Sequence, residues 1–418
     1  KKHEPEVILP VTLAEAKAVV NKWLYFQNDE IIDVVIAGIV SNQYPGDPLW
    51  VVIVGPPSSG KTEILRGADG HPSVYFIGGI TDHTLISGLP KVQGTLEKMN
   101  GKEIVFIVKD LGGLLSMRAE ARLEVFQQLR EAYDGRLDKE FGSGKKVSWR
   151  GKLGFIAGAT PAIEEHHNLI GNLGERHLYY REIPGDRKKG IKKAFSSQGQ
   201  EVQMRHEIRT AITGVIERMK GFDFDTISIA DDVMEWIQNL SIITTILRTP
   251  VSRDGYKKDV VIFDPVPEGP FRMGKSLNLL SRVLAAIRDH KEVMPEDYAV
   301  VVKVAADSLP SIRRRILGIM CKEYLPSSAY VKARDVALQS GLSSEYCGFI
   351  LEDLTLLGVV DRQVDRSETT GYYFQKSPYI YKLRGEIYKQ IDECGLMDMI
   401  VPSGTAGGQN GRDGEGVV

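Results

Sequence analysis

Apolar and polar positions along this chain switch between two periods. Leu13, Ala16, Val20 and Leu24 recur at helical spacing, and the run from Ile31 to Ile39 continues apolar, so residues 11–43 are expected to be helical. Tyr44-Pro45-Gly46-Asp47-Pro48 closes that stretch with turn chemistry. From residue 50 to about 184, short apolar runs alternate with helical segments, with strands expected at 50–54, 73–77, 104–108, 153–157 and 178–183. That alternation predicts a parallel sheet with crossover helices. Residues 190–248 and 274–308 read as mostly helical. Residues 311–378 then read as helices over 311–322, 329–341 and 345–357, followed by two strands at 358–363 and 371–375 around a turn at 366–370. Pro402 onward is rich in glycine and has no apolar anchor, which predicts disorder.

Composition narrows the picture. A chain of 418 residues is long enough for two or three domains with separate cores. Its net charge of −2 means that a polyanion would have to be met by local patches. Cys321, Cys347 and Cys394 are far apart and lack C-x-x-C spacing, which argues for a reducing compartment and against a disulfide or zinc site. The longest apolar stretches are strand-length and no signal peptide is visible, so a cytoplasmic protein without a membrane span is expected.

The chemistry begins at Gly55-Pro56-Pro57-Ser58-Ser59-Gly60-Lys61-Thr62, a complete G-x-x-x-x-G-K-[ST] phosphate loop. It follows the apolar run 50–54 and precedes Glu63-Ile64-Leu65-Arg66, which can begin a helix. In such a turn, backbone N–H groups face the phosphates of a nucleotide. Lys61 can reach the β and γ phosphates, and the Thr62 hydroxyl can hold Mg²⁺. ATP and Mg²⁺ are therefore the expected ligands. A P-loop ATPase also needs an acid at the end of a second buried strand, and Glu103–Asp110 supplies Asp110 for the metal shell. The pair here is Lys109-Asp110. Either the water-activating acid lies elsewhere, or Asp110 takes that position and metal binding is weaker.

Three later segments fall in the order of an AAA+ ATPase. The strand ending at Thr160 is similar to the sensor-1 strand, whose polar residue helps to place water near the γ-phosphate. Gly174-Glu175-Arg176-His177 resembles the segment whose arginine faces a neighbouring subunit's nucleotide, which makes Arg176 the trans-acting finger, with Arg181 as fallback. Phe271-Arg272-Met273 opens a helix that resembles the sensor-2 helix, whose arginine folds back on the phosphates; Arg272 fits by position. The resemblance covers about residues 45–308.

Residues 136–152 carry six Lys or Arg against two acids and read as a β-hairpin around Gly142-Ser143-Gly144. A hairpin before sensor 1 resembles the insertion of minichromosome-maintenance (MCM) helicases and related initiators. That resemblance implies a pore hairpin with Lys145 and Lys146 on the DNA backbone; a solvated charged hairpin is the alternative. Residues 88–101 read as a shortened second pore insertion. The C-terminal segment looks like a winged-helix domain, with Arg362 and Arg366 as phosphate contacts on the wing. Its third helix offers Glu345, Glu352 and Asp353 but no Lys or Arg, which argues against sequence-specific readout.

The expected organisation is an N-terminal helical segment (1–44), an AAA+ α/β core (45–189), a helical lid (190–308), a winged-helix α+β domain (309–395) and a Gly-rich tail (396–418). The expected function is a homo-oligomeric, hexameric AAA+ DNA helicase or translocase that acts on single-stranded or forked DNA without sequence preference, in replication of a phage or mobile element. A nucleic-acid-bound switch that does not unwind is the second reading, and a protein-remodelling ATPase the third, through Phe76-Ile77-Gly78-Gly79-Ile80 as a pore loop.

Overall fold

The computed structural model describes residues 8–81, 83–172, 174–257, 259–327, 329–365 and 379–401. The chain divides into two compact units, Lys1–Ser311 and Ile312–Val418. In the first, seven strands form among the described residues: β1 (Trp50–Val54), β2 (Val74–Ile77), β3 (Glu103–Val108), β4 (Arg136–Glu140), β5 (Lys146–Arg150), β6 (Lys152–Ala159) and β7 (His177–Arg181). Five of these strands build one parallel sheet in the order β2-β3-β6-β1-β7, while β4 and β5 pair separately as an antiparallel hairpin.

The sheet is a buried layer for a reason legible in its residues. All five positions of β1, Trp-Val-Val-Ile-Val, are buried, as a parallel strand covered on both faces requires. Trp50 Nε1 donates to the Leu153 carbonyl at 2.7 Å, so the largest side chain of β1 enters the core with its polar atom satisfied. On one face, Trp50, Phe106, Phe155, Leu129, Leu137 and Trp149 share a single apolar cluster, which ties the hairpin β4–β5 to the sheet.

The N-terminal segment is two helices, Leu13–Trp23 and Glu30–Val40, broken at residues 24–29. The first begins with a capping box between Thr12 and Glu15. The second is buried almost throughout, and its Asp33 has no exposed surface. That carboxylate is met by Lys17 at 2.8 Å and by Arg288, which also bonds Asp297 at 2.9 Å. A charge buried this deeply is tolerated because it is paired on both sides. The helices Ala119–Tyr133, Arg187–Ser197, Glu201–Arg218, Asp231–Arg248, Phe271–Ile287 and Pro295–Asp307 are the longer ones that follow in this unit. Arg181 is not a free arginine: its guanidinium bonds the Asp307 carbonyl at 2.7 Å and pairs with Glu164 at 2.5 Å.

In the second unit the order is helix Ser311–Ser327, β8 (Val331–Lys332), helices Ala333–Ser340 and Ser344–Leu356, β9 (Val360–Val364) and β10 (Tyr379–Leu383). Residues 331–332 were expected to be helical but pair with β10 instead, and the second helix starts only at Ala333, capped by Asp335. The three strands lie in the order β8-β10-β9. Arg362 pairs with Glu352 at 3.0 Å and stacks on Tyr379, so intramolecular partners already hold it. Arg366 and the expected strand at 371–375 lie outside the described residues. A short helix, Leu396–Ile400, occupies the first positions of the expected tail. Among the described residues, no helix is long and apolar enough to cross a membrane.

Candidate functional site

Strand register brings four chain segments to one edge of the sheet. Val54, the last residue of β1, is level with Ala159 on β6 and with Arg181 on β7. Val108 on β3 is level with Ala157, and Asp110 lies two residues beyond the end of that strand. Bonds beyond the ladders fix this edge: Gly55 N donates to Ala159 O at 3.1 Å, Leu111 N to Gly158 O at 2.9 Å and Glu182 N to Val54 O at 2.8 Å. Along the C-terminal edge the order is therefore Asp110, Thr160, Gly55 and Glu182. With neighbouring strands about 4.8 Å apart, Asp110 lies roughly 10 Å across the edge from the end of β1. The core is an α/β fold in which the phosphate loop joins the second strand from one side of a five-stranded parallel sheet to a helix.

The loop 55–62 has the backbone such a site needs. Gly60 (φ 89°) and Ser58 (φ 62°) are both left-handed, and the second is unusual for a residue with a Cβ. Among the described residues, the N–H groups from Ser58 to Thr62 donate to no main-chain carbonyl. They are the orphan donors at the start of the helix Lys61–Arg66 and suit an anion. Lys61 Nζ folds back on the loop, donating to the carbonyls of Gly55 (2.8 Å) and Pro56 (2.6 Å) and to Ser59 Oγ (3.1 Å). Burial lowers the Lys61 pKa, opposed by the charges of Glu182 and Asp110. Asp110 is exposed and its Oδ1 accepts from Gly112 N at 2.9 Å, leaving its other oxygen for a cation. Thr62 and Thr160 are half-buried on this same edge.

Glu182 is a site residue that sequence reasoning missed. A Cβ placed on Gly55 would fall 2.6 Å from Glu182 Oε2, so glycine is needed there for the carboxylate to approach. That oxygen is buried without a hydrogen-bond partner among the described residues. Burial raises the Glu182 pKa, while Ser59 and the Lys61 charge oppose the rise. The only sequence signal was an acid one residue past a buried strand, which is too common to stand out. Beside it opens a cleft of about 720 Å³ between the loop, residues 23–25 and the helix Arg187–Ser197.

Arg176 and Arg272 lie together, at the other edge of the sheet. His177 is level with Trp50, the first residue of β1, so Arg176 is a full strand away from the P-loop that follows Val54. Five strand residues span about 17 Å. Arg176 pairs with Asp134 at 3.5 Å and lies 5.3 Å from the Tyr133 ring centre; Arg272 stacks on the same ring at 5.8 Å. Arg272 also donates to the Glu175 carbonyl at 3.3 Å. Burial lowers the Arg176 pKa, as does the neighbouring Arg272 charge. Beneath them, burial favours a neutral Glu175, but the hydrogen bond and charge of His177, with Arg248, prevail and hold its pKa down to about 2. Arg272, expected to fold back on the phosphates, begins a helix at the edge opposite its own P-loop.

The hairpin β4–β5 forms as expected, but its charges are occupied. Lys145 is 15% exposed; it pairs with Glu97 at 2.8 Å and donates to the carbonyls of Ser87 (2.8 Å) and Val92 (2.7 Å). It fastens the hairpin to residues 87–97, so the DNA contact expected of Lys145 would compete with these intramolecular partners. Ser143 Oγ adds a bond to Gly88 O at 2.6 Å. Arg136 and Arg150 share Asp138, and Lys139 pairs with Glu124. Lys146 pairs with Glu140 at 3.2 Å but stays 75% exposed. Of the expected pore loop 76–80, Ile77 and Ile80 belong to the core cluster, while Gly78 and Gly79 between them are exposed.

No protein-family model and no curated protein matches the chain. Among solved structures, a presumed ATPase from Cytophaga hutchinsonii is similar at 12% identity, over 71% of this chain and 85% of that one, with a TM-score of 0.42.

Proposed function

We propose that this chain is an ATPase of the AAA+ type that works as a ring of identical copies, each supplying a P-loop to one neighbour and an arginine pair to the other. The observation that carries the reading is the division of the sheet: Lys61, Thr62, Asp110 and Thr160 share one edge, and Arg176 and Arg272 share the other. Arginines about 17 Å from their own P-loop can stabilise transferred charge only on a nucleotide held by another copy. Thr62 and Asp110 would hold Mg²⁺, which supplies charge neutralisation at the β and γ phosphates. Lys61, released from the loop carbonyls, would bind those phosphates, and the loop amides would cradle them. Water attacks the γ-phosphorus in line as the bond to the bridging oxygen breaks, leaving ADP and phosphate. Thr160 is suited to orient that water, and the arginines of the next copy to stabilise the developing charge.

The polymer acted on is, in this reading, single-stranded or forked DNA, gripped through the phosphate backbone as in MCM-like helicases. Lys146, 75% exposed although paired with Glu140, is the cation beside the hairpin tip that would meet it, and the second unit serves as a winged-helix module for docking. The ion pairs along the hairpin favour a second reading, a DNA-bound switch that hydrolyses ATP without unwinding. Turnover of the full chain with and without single-stranded and forked DNA tests this. Lys61→Ala should abolish turnover, DNA should stimulate the parent, and Lys146→Ala should blunt that stimulation. Stimulation without strand displacement selects the switch. A parent that does not hydrolyse ATP overturns the proposal.

A further inference from the structure

Two unpartnered apolar surfaces, opposite in charge, flank the two half-sites. Beside the P-loop cleft, the helix Arg187–Ser197 buries no residue at all, although Ile191 (55% exposed) and Phe195 (72%) are large and apolar. Lys188, Ile191, Lys192 and Phe195 fall at helical spacing on one face. Five cations occupy residues 187–193, and none makes an ion pair among the described residues. At the other edge, residues 259–268 read Asp-Val-Val-Ile-Phe-Asp-Pro-Val-Pro-Glu, with three acids and no Lys or Arg. Ile262, Phe263 and Val266 are 60%, 52% and 82% exposed, and Asp259 and Asp264 are exposed with them. This strap adjoins the arginine pair: Phe263, Val266 and Glu268 line a hollow with Glu175, and Glu268 lies 3.7 Å from Arg272.

We infer that the acidic apolar strap 259–268 of one copy docks on the basic apolar helix Arg187–Ser197 of the next, closing the nucleotide cleft as it brings Arg176 and Arg272 to it. The inference rests on the trans-arginine reading above. Its occupant is a second copy of this chain because the two patches complement each other in charge and in apolar character. Each also borders the half-site that the contact would complete. Such a contact joins different surfaces of identical copies, which is the kind of interface that propagates into a ring. A single uncovered helix face of this charge could alternatively meet a nucleic acid backbone; the strap, being acidic, could not.

The test is a charge swap in the full chain, read by sedimentation velocity with ATP and Mg²⁺. Lys188→Glu/Lys192→Glu and Asp259→Lys/Asp264→Lys should each weaken self-assembly at least about tenfold, because like charges then meet. Mixing the two variants should restore it, since every interface formed between unlike copies is again complementary; restoration also shows that both are folded. Assembly unchanged in either variant overturns the inference, as does a mixture that stays dissociated. Lys188→Glu/Lys192→Glu that assembles normally but loses a labelled single-stranded oligonucleotide assigns the helix to nucleic acid and also overturns it. Arg176→Ala separates the two claims. If it keeps parent turnover while the charge swap restores assembly, the docking stands and the trans-arginine reading fails.

Discussion

Replacing Lys145 by alanine should loosen the hairpin rather than merely remove a surface charge. The ammonium is 15% exposed and its partner Glu97 10% exposed, at 2.8 Å, with two further bonds from Nζ to the carbonyls of Ser87 and Val92. Breaking a buried pair by removing one member costs about 3–5 kcal/mol. Here the stranded Glu97 keeps the N–H groups of Ser87 (3.0 Å) and Gly94 (2.9 Å), which reduces the cost to about 2–3 kcal/mol. Since about 1.4 kcal/mol is tenfold in an equilibrium, the hairpin and residues 87–97 should open roughly thirty to a hundred and forty times more often. Lys146→Ala, at a 75% exposed pair, should change stability by no more than about 0.5 kcal/mol. Amide hydrogen exchange resolved to peptides covering 85–97 and 141–147 reads both. The pH dependence has a definite sign. Burial raises the Glu97 pKa but the bond to Lys145 and two amides outweigh it, so the folded value is lowered. Its stabilisation is present above the unfolded carboxyl pKa and is lost as pH falls through the folded one. Unchanged protection in Lys145→Ala, with DNA-stimulated turnover lost, would refute the argument and return Lys145 to the tip.

Glu182→Gln should tighten ATP binding severalfold at neutral pH, measured by calorimetry, because it removes a buried negative charge beside the phosphate loop. The raised Glu182 pKa also means that the parent loses stability as pH rises from the unfolded to the folded pKa, a slope that the variant should lack; weaker binding in the variant would contradict this. Gly318→Ala should destabilise the second unit by about 1–3 kcal/mol, since its Cβ would clash with the Ile400 carbonyl oxygen, and should expose residues 396–401 to protease; an unaltered digestion pattern would contradict it.

Much of this architecture could be read from the chain because its determinants are local. A strand such as Trp50–Val54, buried on both faces, announces itself by continuous apolar character, and the P-loop by fixed spacing. Thr160 and Asp110 were legible as strand ends, and register brought them to one edge with the loop. Non-local geometry was not legible. Arg272 follows Pro270 at the start of a helix, and nothing in its neighbourhood tells which edge of the sheet that helix meets. Lys145 and Lys146 are adjacent and alike, yet alternation along a strand pointed one at Glu97 and the other at solvent. Val331 and Lys332 were drawn into β8 by pairing with residues 380 and 381, almost 50 positions away.

If one catalytic site is made by two copies, as proposed, mixing two inactive variants should rebuild it. Lys61→Ala and Arg176→Ala should each lack turnover, the first through its P-loop and the second through the finger it fails to lend. Combined in equal amounts, they should regain activity, because about a quarter of randomly formed interfaces then join an intact P-loop to an intact arginine. A mixture that assembles yet stays as inactive as its components, or Arg176→Ala that turns over like the parent by itself, would contradict the account.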